Sequence, residues 1–525
     1  MSEHSPHVQP HHPGPPPPPE PASPAGAPRA RRTTRAVLAA VLGAGLLAGL
    51  TSVTDANGRA EPAAGATNTQ NVSAVHPVRP AEGSSAEPTP CPDNLAQIAS
   101  CYAGMDENGA YYTVAVPEQW NGDLVLHAHG GPDLGAPGPE RSAEDLERWT
   151  VMVKEGYAWA GSSYRRGGYG ARMAAEDTEN LRRLFGADFA KPDRTLLHGQ
   201  SWGGDVAAKA AETYGARGKR PVYDGVLLTN GLVGGGSRGY DYRVDLRVVY
   251  QYYCRNHPRP SEPQYPLWQG LPADSTMTSA DLKARVQECT GVESAPEERT
   301  ARQRKNLSAI LGVVQVPERT LVSHLNFATF TFRDIVHERL DGRNPFGNRG
   351  VRYSGSPDDK ALNAGVQRFS ADPGARRDLS YDSDLTGRIR VPVLTLHAID
   401  DPTVFVEHES AYRAAVRNAG RGRLLVQTFT QESEHSSLSD SGYAAAVRSL
   451  AAWVDSGRRP TPGRVAERCA DADDTYGTGC FIKPRYRPGS YSSRVYPRPG
   501  GLHWPAMTAA QEKAWSRLDG VGIEH

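Results

Sequence analysis

Four short strings carry the side chains with which this sequence could do acyl-transfer chemistry: "HAHGGPD" at 127–133, "HGQSWGGD" at 198–205, "AIDDPTV" at 398–404 and "QESEHSS" at 431–437. A serine hydroxyl attacks a carbonyl poorly at neutral pH unless a base takes its proton and a carboxylate orients that base. Ser201, His435 and Asp401 supply those three roles. Asp401 follows Ala398 by three positions and precedes Val404 by three, on the loop after a strand-like run, and Asp400 is the fallback. Backbone amides must also face the negative charge that develops on the carbonyl oxygen. The amide of Trp202, directly after the serine, is one candidate. Gly131 is the other, because Gly130 and Gly131 let the backbone approach a substrate closely. His129 reads as an architectural hydrogen bonder rather than a base.

The motif G-x-S-x-G proves little by itself, because in a chain of 525 residues with 54 glycines it arises by chance roughly one time in three. Its surroundings say more. Thr195, Leu196 and Leu197 form a short apolar run that fits a buried strand, and from Trp202 the apolar positions Val206, Ala207, Ala210, Ala211 and Tyr214 recur at helical spacing. A strand, a Gly-Ser-Gly bend and a helix are the context a nucleophile elbow needs. From about Tyr111 the chain alternates strand-like and helix-like segments: strands at "DLVLHAH", "YAWAGSSY" and "YDGVLLTNG", helices at Arg141 to Glu155 and Ala171 to Phe185. The alternation stops at Gly231 and returns at Val391 with "VPVLTLHAID", a helix ending at Gly420, the strand "LLVQTFT" and a helix from Gly442 to Ser456. This is the pattern of an α/β protein, a mostly parallel sheet flanked by helices. The interruption is better read as a lid than as a loop; helix-like pieces lie in it at Asp281 to Gln287 and Thr331 to Leu340.

The division that follows is residues 1–35, a disordered basic N-terminal region; 36–56, an export signal; 57–90, a flexible linker; 91–231, the first half of the core; 232–387, the lid; 388–460, the second half of the core; and 461–525, a C-terminal extension. Arg29, Arg31, Arg32 and Arg35 precede the apolar run Ala36 to Leu50, which is short for a membrane span and typical of an export signal, with an uncleaved anchor as the alternative. His4, His7, His11 and His12 read as part of a solvated tail. The six cysteines follow the signal in neighbouring pairs, Cys91 with Cys101, Cys254 with Cys289 and Cys469 with Cys480, and suggest local disulfides in an exported protein. No cysteine or histidine spacing indicates zinc or a redox site. The balance of 59 basic and 59 acidic residues leaves no electrostatic footprint for nucleic acid, and no stable protein partner is implied.

With these residues the chain resembles the α/β-hydrolase superfamily over roughly Tyr111 to Gly231 and Arg388 to Gly457. The likeness rests on His129-Gly130-Gly131-Pro132, on Gly199-Gln200-Ser201-Trp202-Gly203, on Asp401 and on His435, in the order serine, acid, histidine. It implies a serine hydrolase that needs no cofactor. HGGP with a GxSWGG elbow is also similar to the proline iminopeptidase and tripeptidyl aminopeptidase branch, from which Asp133 departs where that branch usually has another glycine and Ala398 where a glycine commonly precedes the acid. The expectation is a secreted or cell-envelope enzyme that cleaves a small ester or amide through an acyl-enzyme on Ser201. An aminopeptidase is the first alternative, and it would need a lid carboxylate for the substrate ammonium, with Asp241, Asp245, Glu262, Asp334 and Glu338 as candidates. A noncatalytic binding protein is the second. Tyr240, Tyr242, Tyr250, Tyr252, Tyr253, Tyr265 and Trp268 either line a pocket or form the core of the lid; the second reading is preferred.

Overall fold

The computed structural model describes residues 78–217 and 220–498. The export segment, the four early histidines, most of the linker and the end of the C-terminal extension lie outside the described residues. The sheet has nine strands: β1 Glu87–Thr89, β2 Ala99–Met105, β3 Tyr111–Pro117, β4 Asp123–Ala128, β5 Ala158–Ser162, β6 Arg194–Gln200, β7 Gly225–Thr229, β8 Val393–Ala398 and β9 Leu425–Thr430. Their spatial order is β1-β2-β3-β5-β4-β6-β7-β8-β9. The pairs up to β3–β5 are antiparallel and all later ones parallel.

Alternation along the strands explains the layers. In β6, Leu197 joins the apolar cluster that also holds Val206 and Ala210 of the helix Trp202–Tyr214, while its neighbour Leu196 faces the opposite cluster with Val447 and Leu450 of the helix Asp440–Ser456. Burial on both faces is why these strands are nearly continuous apolar runs. Order reverses around β4, whose two parallel neighbours are β5 and β6. At such a switch point the loops leaving adjacent strands diverge and open a crevice at their carboxyl ends.

Several elements depart from the sequence-based expectation. The sheet starts within the segment read as linker, since β1 pairs with β2 beside the Cys91–Cys101 disulfide. Three residues are too few to show a period. The helix expected over Arg141 to Glu155 is two helices, Glu140–Arg148 and Thr150–Lys154, broken at the fully buried Trp149. The C-terminal extension holds the helix Pro462–Tyr476, tied by Cys469–Cys480, and its chain then bridges Ile482 to Thr430 along the outer edge of β9. That contact covers an otherwise open sheet edge.

The lid is helical. Its longer helices are Asp241–Cys254, Ser279–Thr290 and Ala301–Val314, the first two joined by Cys254–Cys289. Thr278 with Asp281, and Thr300 with Gln303, form reciprocal capping boxes that start the second and third. The expected helix over Thr331 to Leu340 is instead wound in π-helical turns at Phe327–Thr331 and Asp334–Arg339.

Candidate active site

Ser201 sits between β6 and the helix Trp202–Tyr214 with φ 58° and ψ −127°. A non-glycine residue is held there only at a cost of roughly 1–3 kcal/mol, and the tight packing of the bend sets the requirement. A Cβ on Gly203 would lie 2.1 Å from the Ala128 carbonyl oxygen, so only glycine allows the helix to approach the end of β4. Because Ala128 pairs with Gly199, the HGGP loop runs beside Gln200, Ser201 and Trp202. Gly131 takes φ +70° in that loop.

The loops after β8 and β9 bring the other groups. Ser201 Oγ lies 2.7 Å from His435 Nε2, and His435 Nδ1 lies 2.8 Å from Asp401 Oδ2 and 3.0 Å from Oδ1. The buried Asp401 also accepts the amides of Thr403 and Val404 at 2.8 and 2.9 Å. Asp400 faces away, accepting from Gln431 Nε2 at 2.8 Å. Ser201, His435, Gly131 and Trp202 line one cleft of about 350 Å³, with Leu232, Tyr240, Arg243 and Phe327 on its lid side. Larger cavities of about 690, 760 and 810 Å³ contain none of the four.

This is an α/β-hydrolase fold. The strand order with its switch point, the strained serine between strand and helix, and the acid and histidine on the loops after the last two strands all follow that plan.

Several side chains that position this site are not apparent as motifs. Gln200 Nε2 donates to the His435 carbonyl oxygen at 2.8 Å, and Asn230 Nδ2 donates to the same oxygen at 2.7 Å. Asn230 Oδ1 accepts the Ala398 amide at 2.7 Å, so one side chain joins the loops after β7, β8 and β9. Its φ of 45° directly after β7 is made easier by its being asparagine. From the lid, His324 Nε2 donates to the Pro402 carbonyl at 2.9 Å and Tyr242 Oη to that of Thr403 at 3.0 Å. Burial, reinforced by the nearby Arg243 charge, pushes His324 down to about 3, so it acts as a neutral donor to the loop that carries Asp401.

His129 has the architectural role. Its Nδ1 lies 2.6 Å from Asp145 Oδ2 and its Nε2 2.9 Å from Asp133 Oδ2. Burial pulls His129 down, but the two carboxylates outweigh it and push it up to about 9. Burial likewise pushes Asp145 up, and His127 and His129 overcome that and hold it below the usual carboxylate range. The HGGP loop thus rests on a buried ion pair.

Of the expected aromatic set, only Tyr240 lines the cleft among the described residues. Tyr250 is fully buried, and Tyr252, Tyr253, Tyr265 and Trp268 pack against the core. The candidate acids lie elsewhere. Asp241 and Asp245 pair with Arg498, Glu262 with Arg285 and Asp334 with Arg339, while the exposed Glu338 borders a different cavity.

No known protein-family profile matches the chain. Over 113 residues it is 29% identical to an o-phthalyl amidase of Xanthobacter agilis, a match covering 21% of this chain and 23% of that relative's length. Among solved structures it is similar to feruloyl esterase B from Aspergillus oryzae, at 12% identity and TM-score 0.38 over 74% of this chain and 89% of that one. It is also similar to lipase A of Candida antarctica in its closed state, at 12% identity and TM-score 0.39 over 83% and 91% of the two chains.

Proposed function

We propose that this protein is an exported serine hydrolase that cleaves a carboxylic ester through an acyl-enzyme on Ser201. The observation that carries the reading is the hydrogen-bonded chain from Ser201 Oγ through His435 to Asp401, on loops at the carboxyl edge of the sheet. His435 Nε2 takes the hydroxyl proton as Oγ attacks the carbonyl carbon. The amides of Gly131 and Trp202 hold the oxyanion, and Asp401 stabilises the imidazolium that forms. Collapse breaks the bond to the alcohol, which leaves with the proton from His435. Water then attacks the acyl-enzyme with His435 again as base, and the acid departs as Ser201 is restored.

The partial match to an o-phthalyl amidase favours amides as a second substrate class for the same chemistry. A free-amino peptide fits less well, because the lid carboxylates proposed for an ammonium are engaged or turned elsewhere and the lid presents Arg243 to the cleft. Three disulfides are compatible with an oxidising compartment, which supports export.

The test compares kcat/KM on short p-nitrophenyl esters with that on alanyl and prolyl p-nitroanilides, with Ser201→Ala as blank. Ester hydrolysis that vanishes in the blank is expected. Anilide hydrolysis that dominates and needs a free amine would replace the esterase by an aminopeptidase.

A further inference from the structure

The lid wall of the cleft holds a buried cation with no counter-charge among the described residues. Arg243, in the first turn of the helix Asp241–Cys254, is 4% exposed and borders the same cleft as Ser201 and His435. Its guanidinium carbon lies 3.9 Å from the ring centre of Phe327 and 4.9 Å from that of Tyr242. Among the described residues it makes no hydrogen bond and no ion pair, and its buried Nε has no acceptor.

The other charges at the cleft are engaged or lie at its rim. Asp145 is taken by His127 and His129, Asp133 by His129 and Arg141, and Glu144 and Arg148 are exposed. Stacking on aromatic faces offsets only part of the cost of withdrawing a guanidinium from water. The in-plane nitrogens stay free for a planar bidentate acceptor, and a carboxylate matches that fork.

We propose that Arg243 is the specificity-determining residue of this cleft, anchoring a free carboxylate on the acyl portion of the substrate, so that the preferred substrates are half-esters or half-amides of dicarboxylic acids. This rests on the serine-hydrolase reading above. An acyl group stays bound through both half-reactions whereas the leaving group departs after the first, so an anchor on the acyl side serves both. A cleft of about 350 Å³, near the small end of ligand pockets, suits a short diacid.

The experiment uses the full chain and compares kcat/KM for the p-nitrophenyl monoesters of glutaric and adipic acid with that for their methyl-capped counterparts. The parent is expected to favour the free acid by about 10- to 100-fold, the range of a hydrogen-bonded charge pair in a desolvated site. In Arg243→Met that ratio falls to near one, and in Arg243→Lys it is partly restored. A purely structural arginine would leave the ratio where it was, and equal rates or a preference for the capped ester in the parent overturn the proposal. Calorimetry on Ser201→Ala with monomethyl and dimethyl adipate reads the subsite without turnover. Tighter binding of the monoacid that disappears with Arg243→Met supports the anchor even if ester hydrolysis fails. Equal binding of the two rejects it even if hydrolysis succeeds.

Discussion

Ser201 and Arg243 border one cleft but are held in opposite ways. Ser201 is fixed by backbone. Its bend is fixed by the register of β4 against β6, by a glycine that admits the helix, and by two side-chain amides that grip the His435 loop through a single carbonyl oxygen. Arg243 is fixed by packing alone, on rings contributed by its own helix and a π-helical turn, with no polar partner among the described residues. Hydrogen-bonded loops on a parallel sheet give the positional precision a reacting atom requires. A lid built on side-chain packing can change what it recognises without disturbing that edge.

The largest effect is expected at the serine. Ser201→Ala should lower kcat/KM on activated esters by at least about 10⁴-fold, with melting temperature near the parent's because a small polar side chain is lost. A lid substitution with an equal loss on every substrate would erase the distinction between the two regions. At the acid, Asp401→Asn should cost about 10³- to 10⁴-fold in kcat, while Asp400→Asn, on the neighbouring side chain that points to Gln431, should change kcat less than about threefold. Parallel assays of the two variants separate them.

Removing a clamp should sharpen the contrast. Asn230→Ala removes one of the ties between the end of β8 and the His435 loop, and we expect kcat to fall by about 10- to 100-fold with KM nearly unchanged, because misplacement of His435 affects the reaction more than binding. A rise in KM at constant kcat would place Asn230 in substrate binding instead. The smallest effect concerns stability. His129, raised to about 9 by Asp145 and Asp133 against the pull of burial, contributes stability that is fully present below its ordinary value near 6.5 and is lost as pH rises through about 9. Asp145, held low, contributes the acid limb, lost only as pH falls below the usual carboxylate range. Denaturant midpoints for the parent should therefore drop between about pH 7 and 10, and His129→Gln should flatten that slope.

The two regions were also unequally legible in the sequence. The elbow, the HGGP loop and the segments holding Asp401 and His435 are local signals, a strand followed within a few residues by a glycine bend or an acidic or histidine-bearing loop. The sheet around them was readable wherever a strand was buried on both faces. Gln200 and Asn230 were not, because their role depends on strand register: Gln200 pairs with Thr229, and that pairing brings Asn230 beside the elbow. Gln200 stands in the variable position of the elbow motif, and Asn230 follows a strand like any turn residue. In the lid, the tyrosine-rich segment reads as pocket or as core, and Tyr240 and Tyr250 are both buried although only Tyr240 borders the cleft. Nothing in the sequence sets Arg243 apart, since burial of an arginine among aromatics is decided by tertiary contacts.

The proposed mechanism makes Ser201 a nucleophile activated by His435. It is tested most directly by reacting the full chain with a fluorophosphonate probe and locating the adduct by mass spectrometry, in the parent, Ser201→Ala and His435→Ala. One adduct is expected, on the peptide bearing Ser201, absent from Ser201→Ala and strongly slowed in His435→Ala. An unlabelled parent, or labelling that persists undiminished without Ser201, would contradict it.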